Sequence, residues 1–251
     1  MRKIDFDNNK TLYLAETVSE LSALQSKGFY AVPVLSSCQE KNSSNPNTDF
    51  DINGQKWPFT AYAVTDPDEL TTKDFYRIYQ RLAGEPWTIT TTDRLTIRET
   101  TIADVPEFYR IYGGDPSITR YMDELFPNIE DEIEYTRNYI SNIYAFYTYG
   151  LWTVVETASG RVIGRAGISP IEECDFPDLG FVIDINYQNK GFAFEACDAI
   201  LNYAKNELEF ETIQARVQPE NIPSINLLKK LGFTIPHTPH QGYLVALRTT
   251  S

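Results

Sequence analysis

The spacing of apolar side chains in the second half of the chain predicts a helix that follows directly on a strand. Apolar residues recur at intervals of three and four positions, at Ala193, Ala196, Cys197, Ile200, Leu201 and Ala204. This stripe is typical of an amphipathic helix, and residues 178–183 predict a strand before it. The loop between them reaches the helix N-terminus at Gly191. Because the first N–H groups of a helix lack intrahelical partners and a glycine lets a ligand approach the backbone, this loop is suited to a phosphate group.

A second strand and helix lie further along the chain. Residues 212–217 alternate between apolar and polar positions, which predicts a strand. Residues 221–231 begin with Asn221 and an early proline, carry leucine and isoleucine at helical spacing, and stop at Gly232. These are the start and stop signals of a short helix.

The same patterns predict the remaining elements and two domains. In the second half they are a strand at 94–99, helices at 103–112 and 130–144, and strands at 151–156 and 161–168 joined by a hairpin at 158–160. In the first half they are strands at 11–14, 29–35 and 59–64, helices at 19–27 and 72–82, and a polar segment at 36–55. A turn and a run of threonines at 83–92 predict a linker. We therefore expect a small Rossmann-like α/β module at 1–90 and a larger domain at 91–251.

Composition limits the compartment and the class of partner. The 251 residues are 42% apolar and 23% charged, which is enough apolar content to bury a core. The chain has 3 cysteines, and they form no close pair, which argues against a disulfide framework. Since the sequence shows neither a signal region nor an apolar run of membrane-spanning length, we expect a cytoplasmic protein that does not bind a membrane. A net charge of -13 disfavours nucleic acid as a partner and suits a cationic substrate better.

The phosphate loop and the second helix together resemble the coenzyme-binding segments of the GNAT superfamily of N-acetyltransferases. The spacing Gln188-x-x-Gly191-x-Ala193 matches the family signature Q/R-x-x-G-x-G/A, and the Asn-x-x-Ser helix at 221–231 is similar to its second segment. Residues 115–122, Asp-Pro-Ser-Ile-Thr-Arg-Tyr-Met, resemble a stretch of the branch that contains ribosomal-protein N-terminal acetyltransferases. The resemblance extends over residues 93–247.

The resemblance implies a fold, a cosubstrate and the residues that hold it. It implies an α/β (α+β) fold for 91–251, with a mixed, mostly antiparallel central sheet flanked by helices. It also implies acetyl-CoA as the cosubstrate, without a metal. The coenzyme-binding residues would be Phe181, Val182, Gln188, Asn189, Lys190, Gly191, Phe192, Ala193, Asn221 and Ser224. An N–H group of Phe181 or Val182 would donate to the thioester oxygen.

Acetyl transfer to an amine requires a proton acceptor, because an alkyl amine is protonated near pH 7. Asp178, at the start of the strand before the phosphate loop, is the first candidate base. Glu172, Glu173 and Asp175 are alternatives on a nearby loop. For each of these residues, the competing interpretation is a solvated surface carboxylate.

The departing thiolate also needs a proton donor. Many family members have a tyrosine seven residues after the asparagine that starts the second helix, and this chain has Leu228 there. Ser224 is the remaining candidate donor in this segment, and capping of the helix is its alternative role.

Aromatic residues are dense between positions 135 and 152, and their spacing predicts that more than half of them belong to the core. Phe146, Tyr147 and Tyr149 are the candidates for the acceptor cleft, where aromatic faces hold an ammonium group. His237 and His240 lie in a proline-rich loop without further ligands at zinc spacing, so we expect no metal site there.

The module at 1–90 faintly resembles the last third of a haloacid-dehalogenase-type phosphatase domain. Residues 15–20, Ala-Glu-Thr-Val-Ser-Glu, stand in the place of a G-D-x-x-x-D metal motif, but the upstream nucleophile motif and lysine are missing. Glu16 and Glu20 alone would hold Mg²⁺ poorly. We interpret the module as a non-catalytic remnant that serves packing or homodimer formation.

These observations predict an enzyme, and they leave one alternative from another class. The main prediction is an acetyl-CoA-dependent N-acetyltransferase that acts on a primary amine of a protein N-terminus or a small molecule. The alternative is a non-catalytic acyl-CoA-binding or protein-interaction module, which the leucine at position 228 favours. Resemblance supplies the class of reaction and does not identify the acceptor.

Overall fold

The computed structural model describes residues 1–7, 9–35, 50–52, 55–57, 62–171 and 176–250. Two compact units make up the chain, Met1–Trp87 and Thr88–Ser251. Within the described ranges, no helix is both long and apolar enough to cross a membrane.

The first unit contains a small three-stranded sheet. Its strands are Arg2–Asp5 (β1), Thr11–Ala15 (β2) and Ala31–Pro33 (β3), with helix Val18–Gln25 (α1) between the last two. β2 lies in the centre, antiparallel to β1 and parallel to β3. This is the expected strand–helix–strand unit with one strand added. Two further strands, Phe50–Ile52 (β4) and Gln55–Trp57 (β5), pair with each other antiparallel.

The longest helix of the first unit, Thr72–Ala83 (α2), has clear signals at both ends. Thr71 and Asp74 form a capping box, in which each side chain accepts a hydrogen bond from the backbone of the other. Gly84 ends the helix with a φ of 67°, a conformation that glycine adopts without steric cost. The buried face of α2 packs on the sheet in a cluster formed by Leu12, Leu14, Val32, Val64, Phe75 and Tyr79.

The second unit is built on a seven-stranded sheet. Its strands are Thr88–Thr91 (β6), Leu95–Arg98 (β7), Leu151–Glu156 (β8), Arg161–Ser169 (β9), Asp178–Ile183 (β10), Thr212–Val217 (β11) and Leu244–Thr249 (β12). They lie in the order β12-β11-β10-β9-β8-β7-β6. Every neighbouring pair is antiparallel except β10 and β11, which are parallel. The mostly antiparallel central sheet is therefore confirmed.

Helices flank this sheet. They are Val105–Tyr112 (α3), Pro116–Thr119 (α4), Ile129–Tyr139 (α5), Ala145–Tyr147 (α6), Phe192–Asn206 (α7) and Ile222–Lys230 (α8). A π-helical turn, Ile140–Tyr144, joins α5 to α6. The buried face of α3 packs with Val162 of β9 and Val182 of β10, and α7 packs against β6, β7, β9 and β10.

The structure corrects the expected linker and adds four strands. Residues 88–91, expected to be part of a linker, form β6 at the edge of the larger sheet, because threonine is β-branched and Ile89 is buried. No pattern predicts β1, β4, β5 or β12. β1 carries a single apolar residue, and β4 together with the first residue of β5 falls in the expected polar segment at 36–55, which is corrected there. Half of the expected strand at 59–64, residues 59–61, lies outside the described residues, as do positions 36–49 and 53–54 of the polar segment.

Candidate functional site

A cleft opens in the second unit where the two parallel strands part. β10 and β11 are in register at one pair, Asp178 and Gln214, and their pairing ends there. The cleft has a volume of about 580 Å³, and both strands line it together with residues 121–126 and the first turns of α8.

The loop after β10 presents a row of backbone N–H groups. Asn189 and Gly191 both have positive φ, 57° and 83°, and Gly191 is the N-cap of α7 without any side-chain cap. Across the described residues, the N–H groups of positions 189–194 donate no hydrogen bond to the protein. Consecutive N–H groups in such a conformation, placed at the positive end of a helix, form an anion-binding site.

A salt-bridged cluster that includes residues just before β7 supports this loop. Arg94 donates through Nε to Glu195 Oε2 at 2.7 Å and through Nη1 to the carbonyl oxygen of Lys190 at 3.1 Å. Its guanidinium also lies 4.2 Å from the ring centroid of Phe192. Burial alone would raise the pKa of Glu195, but hydrogen bonds from Thr92 and Arg94 outweigh burial and hold that pKa below its usual value. The cluster therefore places a cation beside the loop and neutralises the carboxylate in the first turn of α7.

Asp178 lines the cleft at the point where the strands part. Its side chain is 15% exposed, and its Oδ1 accepts a hydrogen bond from the Arg216 N–H at 3.1 Å. Gln214 Nε2 lies 3.4 Å from the same oxygen. Burial raises the pKa of Asp178 to about 6, against the opposing effect of Arg216 and Gln214. A carboxyl group with this pKa can exchange protons near neutral pH.

The strand register decides which backbone donor of β10 faces the cleft. Asp184 N–H donates to the Ile163 carbonyl of β9 at 2.8 Å, and Val182 is paired with Arg165 of the same strand. Since successive N–H groups of a strand point to opposite edges, the Val182 N–H also faces β9. The N–H of Phe181 faces β11 and the cleft.

The start of α8 forms the other wall. Asn221 caps this helix, because its Oδ1 accepts a hydrogen bond from the Ser224 N–H at 3.3 Å. Asn221, Ser224 and Leu228 all line the cleft, and Leu228 is buried. An apolar side chain thus occupies the position at which many members of the resembled family carry a tyrosine.

Residues 94–234 match the sequence family described as Acetyltransferase (GNAT) domain. A Bacillus licheniformis protein named uncharacterized N-acetyltransferase p20 is 32% identical over 146 residues, which cover 57% of this chain and 80% of that protein. The chain belongs to the GNAT acetyltransferase family.

Solved structures share the acetyltransferase fold. The ribosomal-protein-S5-alanine acetyltransferase of Vibrio fischeri is similar with a TM-score of 0.55 at 15% identity, covering 64% of this chain and 96% of that one. Mycobacterium smegmatis RimJ in complex with CoA-disulfide is similar with a TM-score of 0.51 at 17% identity, covering 62% of this chain and 81% of that one. The family match, not the fold alone, shows that the chain is an acetyltransferase, and the GNAT fold uses acetyl-CoA.

The aromatic residues expected in the acceptor cleft of this acetyltransferase lie elsewhere. Phe146 and Tyr147 contact each other edge to face, with 79% and 38% of their surface exposed, and Tyr149 packs on Phe210. None of the three is among the residues that line the cleft. Their part in acceptor binding stays a prediction. Tyr144 and Trp152 of the same run belong to the core, as predicted.

The structure adds cleft residues that sequence patterns did not indicate. Tyr112 of α3, Glu132 and Tyr135 of α5, and Arg165 of β9 line the cleft. They come from three elements, so no single motif joins them in the sequence. The only available signal was an arginine in the middle of an otherwise apolar strand, at Arg165. Glu172, Glu173 and Asp175 lie outside the described residues.

Metal ligands do not gather within the described part of the chain, where no three His, Cys, Asp or Glu side chains form a group. Cys197 is fully buried on α7, and burial raises the pKa of its thiol. This cysteine is part of the apolar core of the acetyltransferase unit.

Proposed function

We propose that this cleft transfers an acetyl group from acetyl-CoA to a primary amine of a protein N-terminus or a small molecule. The observation that carries the proposal is the course of β10, which leads from a cleft-lining carboxyl group of raised pKa, Asp178, to the row of unpaired N–H groups at 189–194. When bound, acetyl-CoA supplies a thioester that an amine can attack. The family to which the chain belongs supports this chemistry.

Coenzyme binding is assigned to the loop and to the start of α8. The N–H groups of Asn189 to Ala193 would hold the pyrophosphate, with Gly191 leaving room for its oxygens. Gln188 supports the loop, because its Nε2 donates to the Ile183 carbonyl at 3.0 Å. Lys190 adds positive charge, although its ammonium group donates to the Asn186 carbonyl at 2.8 Å. Asn221 and Ser224 would line the path of the pantetheine arm.

Asp178 is proposed as the proton acceptor. With a pKa of about 6, its carboxylate is mostly ionised at pH 7 and above, and it can take a proton from the incoming amine directly or through water. Arg216 keeps it in place through the backbone hydrogen bond. The Phe181 N–H, which faces the cleft, would donate to a carbonyl oxygen on which negative charge develops.

Ser224 is proposed as the proton donor, since it lines the cleft and its own N–H is already used by the Asn221 cap. Within the described residues, its hydroxyl group forms no hydrogen bond that would hold it in a purely structural role. Its conservative variant Ser224→Ala should therefore slow transfer without unfolding α8.

The buried Leu228 favours a second candidate function, which is coenzyme binding without catalysis. A release assay separates the two. The chain is incubated with acetyl-CoA and a panel of amines and N-terminal peptides, and free thiol and acetylated product are both measured. Acetylated product from any acceptor, lost in Gly191→Glu, supports the enzyme. Coenzyme A binding without product from any member of a broad panel would support the non-catalytic module instead.

A further inference from the structure

Arg165 is a buried cation without an anionic partner. It lies in the middle of β9, is 7% exposed, and lines the acetyl-transfer cleft. Among the described residues, no carboxylate forms a salt bridge with it, and its Nε has no hydrogen-bond partner. An arginine that is taken out of water without a counter-charge costs considerable free energy.

The contacts of Arg165 hold it in place and leave its charge uncompensated. Its guanidinium lies 4.5 Å from the ring centroid of Phe108, and the Tyr112 phenol group lies nearby. The nearby phenol groups of Tyr112, Tyr139 and Tyr144 are neutral, since burial raises the pKa of each above its usual value. Aromatic faces and neutral phenols orient a guanidinium, but they do not balance its charge.

The floor of the cleft is open between Arg165 and the proposed base. Arg165 of β9 is paired directly with Val182 of β10, so the two side chains lie on the same face of the sheet. Asp178 is four positions from Val182 on β10 and shares that face. The side chains of Arg165 and Asp178 therefore lie on one face. Gly180 lies between Asp178 and Val182 on that face. A Cβ built on Gly180 would approach only Leu151 Cδ1, at 3.9 Å, so among the described residues no side chain occupies the space directly over Gly180.

The other charges of the cleft are mainly negative. Asp123, Glu124 and Glu132 line it on the acceptor side, while Arg216 is already bonded to Asp178. Glu132 is buried and accepts a hydrogen bond from the Phe126 N–H at 3.1 Å. A ligand that complements this surface carries a cationic amine for the acidic part and one anionic group for Arg165.

We infer that the acceptor is an amine that also carries a carboxylate, and that Arg165 binds this carboxylate while the amine lies at Asp178. The inference rests on the proposed function for the identity of the reacting amine. A planar carboxylate fits the guanidinium fork, whereas a phosphate dianion would be repelled by Glu132 and the two acidic residues of the rim. Asp178 and Val182 are four residues apart, about 13 Å along the strand, so the amine and the carboxylate should be separated by several bonds.

Binding, measured without turnover, tests the inference. With coenzyme A at saturation, calorimetry compares 6-aminohexanoate with its neutral analogue 6-aminohexanamide on the full chain. We expect the acid to bind at least tenfold more tightly than the amide, and Arg165→Met to remove the difference. Arg161→Met is the matched control, because Arg161 lies on the same strand with an exposed side chain. Unchanged coenzyme A affinity shows that a variant is folded.

Further ligands identify the source of the carboxylate. A tetrapeptide with glutamate at its second position is compared with the same peptide carrying glutamine, and an aminoalkyl phosphate is compared with the amino acid. A glutamate preference indicates a protein N-terminus, and a preference for 6-aminohexanoate indicates a small molecule.

Equal binding of acid and amide to the wild-type chain would overturn the inference, and so would tighter binding of the phosphate. This outcome needs no variant that might misfold. The proposed function fails on a different result, which is the absence of acetylated product although coenzyme A binds.

Discussion

Two aspartates at the ends of β10 show how environment separates a reactive carboxyl group from a structural one. Burial raises the pKa of Asp178 to about 6. Burial would also raise the pKa of Asp184, but hydrogen bonds from Arg110 and Asn186 outweigh it and hold that pKa below its usual value. Arg110 forms a close salt bridge with Asp184, whereas Arg216 Nε lies 3.5 Å from Asp178. Asp178 is therefore suited to proton exchange, and Asp184 to fixing the start of the phosphate loop.

Asp178→Asn should stabilise the folded protein at neutral pH. A folded-state pKa above the unfolded value means that, between pH 3.8 and about 6, the folded chain holds a proton that the unfolded chain has released. Stability therefore falls as pH rises through this window, by up to about 3 kcal/mol for a shift of about two units. We expect Asp178→Asn to raise the free energy of unfolding by roughly 1–3 kcal/mol at pH 8 and to change it little at pH 4.

Urea unfolding at both pH values measures this effect, with Asp131→Asn as the control because Asp131 is exposed. If Asp178→Asn is less stable than wild type at pH 8, the ionised Asp178 carboxylate stabilises the folded state instead of destabilising it.

At the level of elements, the phosphate loop depends on the backbone conformation of Gly191. Its φ of 83° is strained for other residues, and an added Cβ would lie 3.5 Å from Arg94 Nη2. We expect Gly191→Glu to weaken coenzyme A binding by about 100-fold or more, because the added side chain would strain the loop and its carboxylate would place a negative charge beside the bound pyrophosphate.

Calorimetry with coenzyme A measures the loss. Gly160→Glu is the matched control, since Gly160 also has a positive φ, 70°, and nothing lies within 4 Å of an added side chain. The two variants should lose similar stability, and only Gly191→Glu should lose coenzyme binding. If both variants bind coenzyme A with comparable affinity, the loop is not part of the coenzyme site.

The cluster of Arg94, Thr92 and Glu195 provides a second test of the loop. Arg94→Leu should weaken coenzyme A binding several-fold, because it removes a cation beside the loop and leaves the Glu195 carboxylate unbalanced near the bound phosphates. Adding Glu195→Gln should restore part of the affinity. If Arg94→Leu binds coenzyme A as wild type does, or the double variant binds more weakly than the single one, the cluster has only a structural role.

The sequence predicts the local elements around the candidate site better than the residues that tertiary packing brings into it. Local signals mark β10, Gly191 and the Asn221 cap, because a strand, a helix start and a cap each follow from a few neighbouring residues. The acceptor side brings α3, α5 and β9 together through tertiary packing, so Glu132 and Arg165 could not be joined from spacing alone. The sequence of β6 predicts a linker instead of a strand, because it is rich in threonine and its only buried apolar side chain is Ile89.

For the whole molecule, the family match and the division of the chain point to the same unit. Residues 94–234 match the GNAT domain, and the second compact unit is Thr88–Ser251. The first unit lies outside that match. We propose that it has no phosphatase activity, because the nucleophile motif of the phosphatases it faintly resembles is missing. Metal-dependent hydrolysis of a generic phosphomonoester by the purified chain, abolished in Glu16→Gln, would contradict this proposal.

The two units also lead to a prediction for shortened chains. A chain of residues 88–251 should unfold cooperatively and bind coenzyme A, whereas 93–251 should melt at a temperature lower by roughly 5 °C, since it loses β6 and the burial of Ile89. Thermal unfolding with and without coenzyme A measures both. Failure of 88–251 to fold would mean that the second unit requires the first.

The dependence of the transfer rate on pH tests the central claim that this GNAT enzyme uses Asp178 as its base. On an accepted amine, kcat/KM corrected for ionisation of the amine should rise through a pKa of about 6 in the wild-type chain. Asp178→Asn should lose this inflection and slow transfer by about 100-fold or more, with coenzyme A affinity unchanged. A rate for Asp178→Asn within a few-fold of wild type from pH 6 to 9, with the same inflection, would contradict the account.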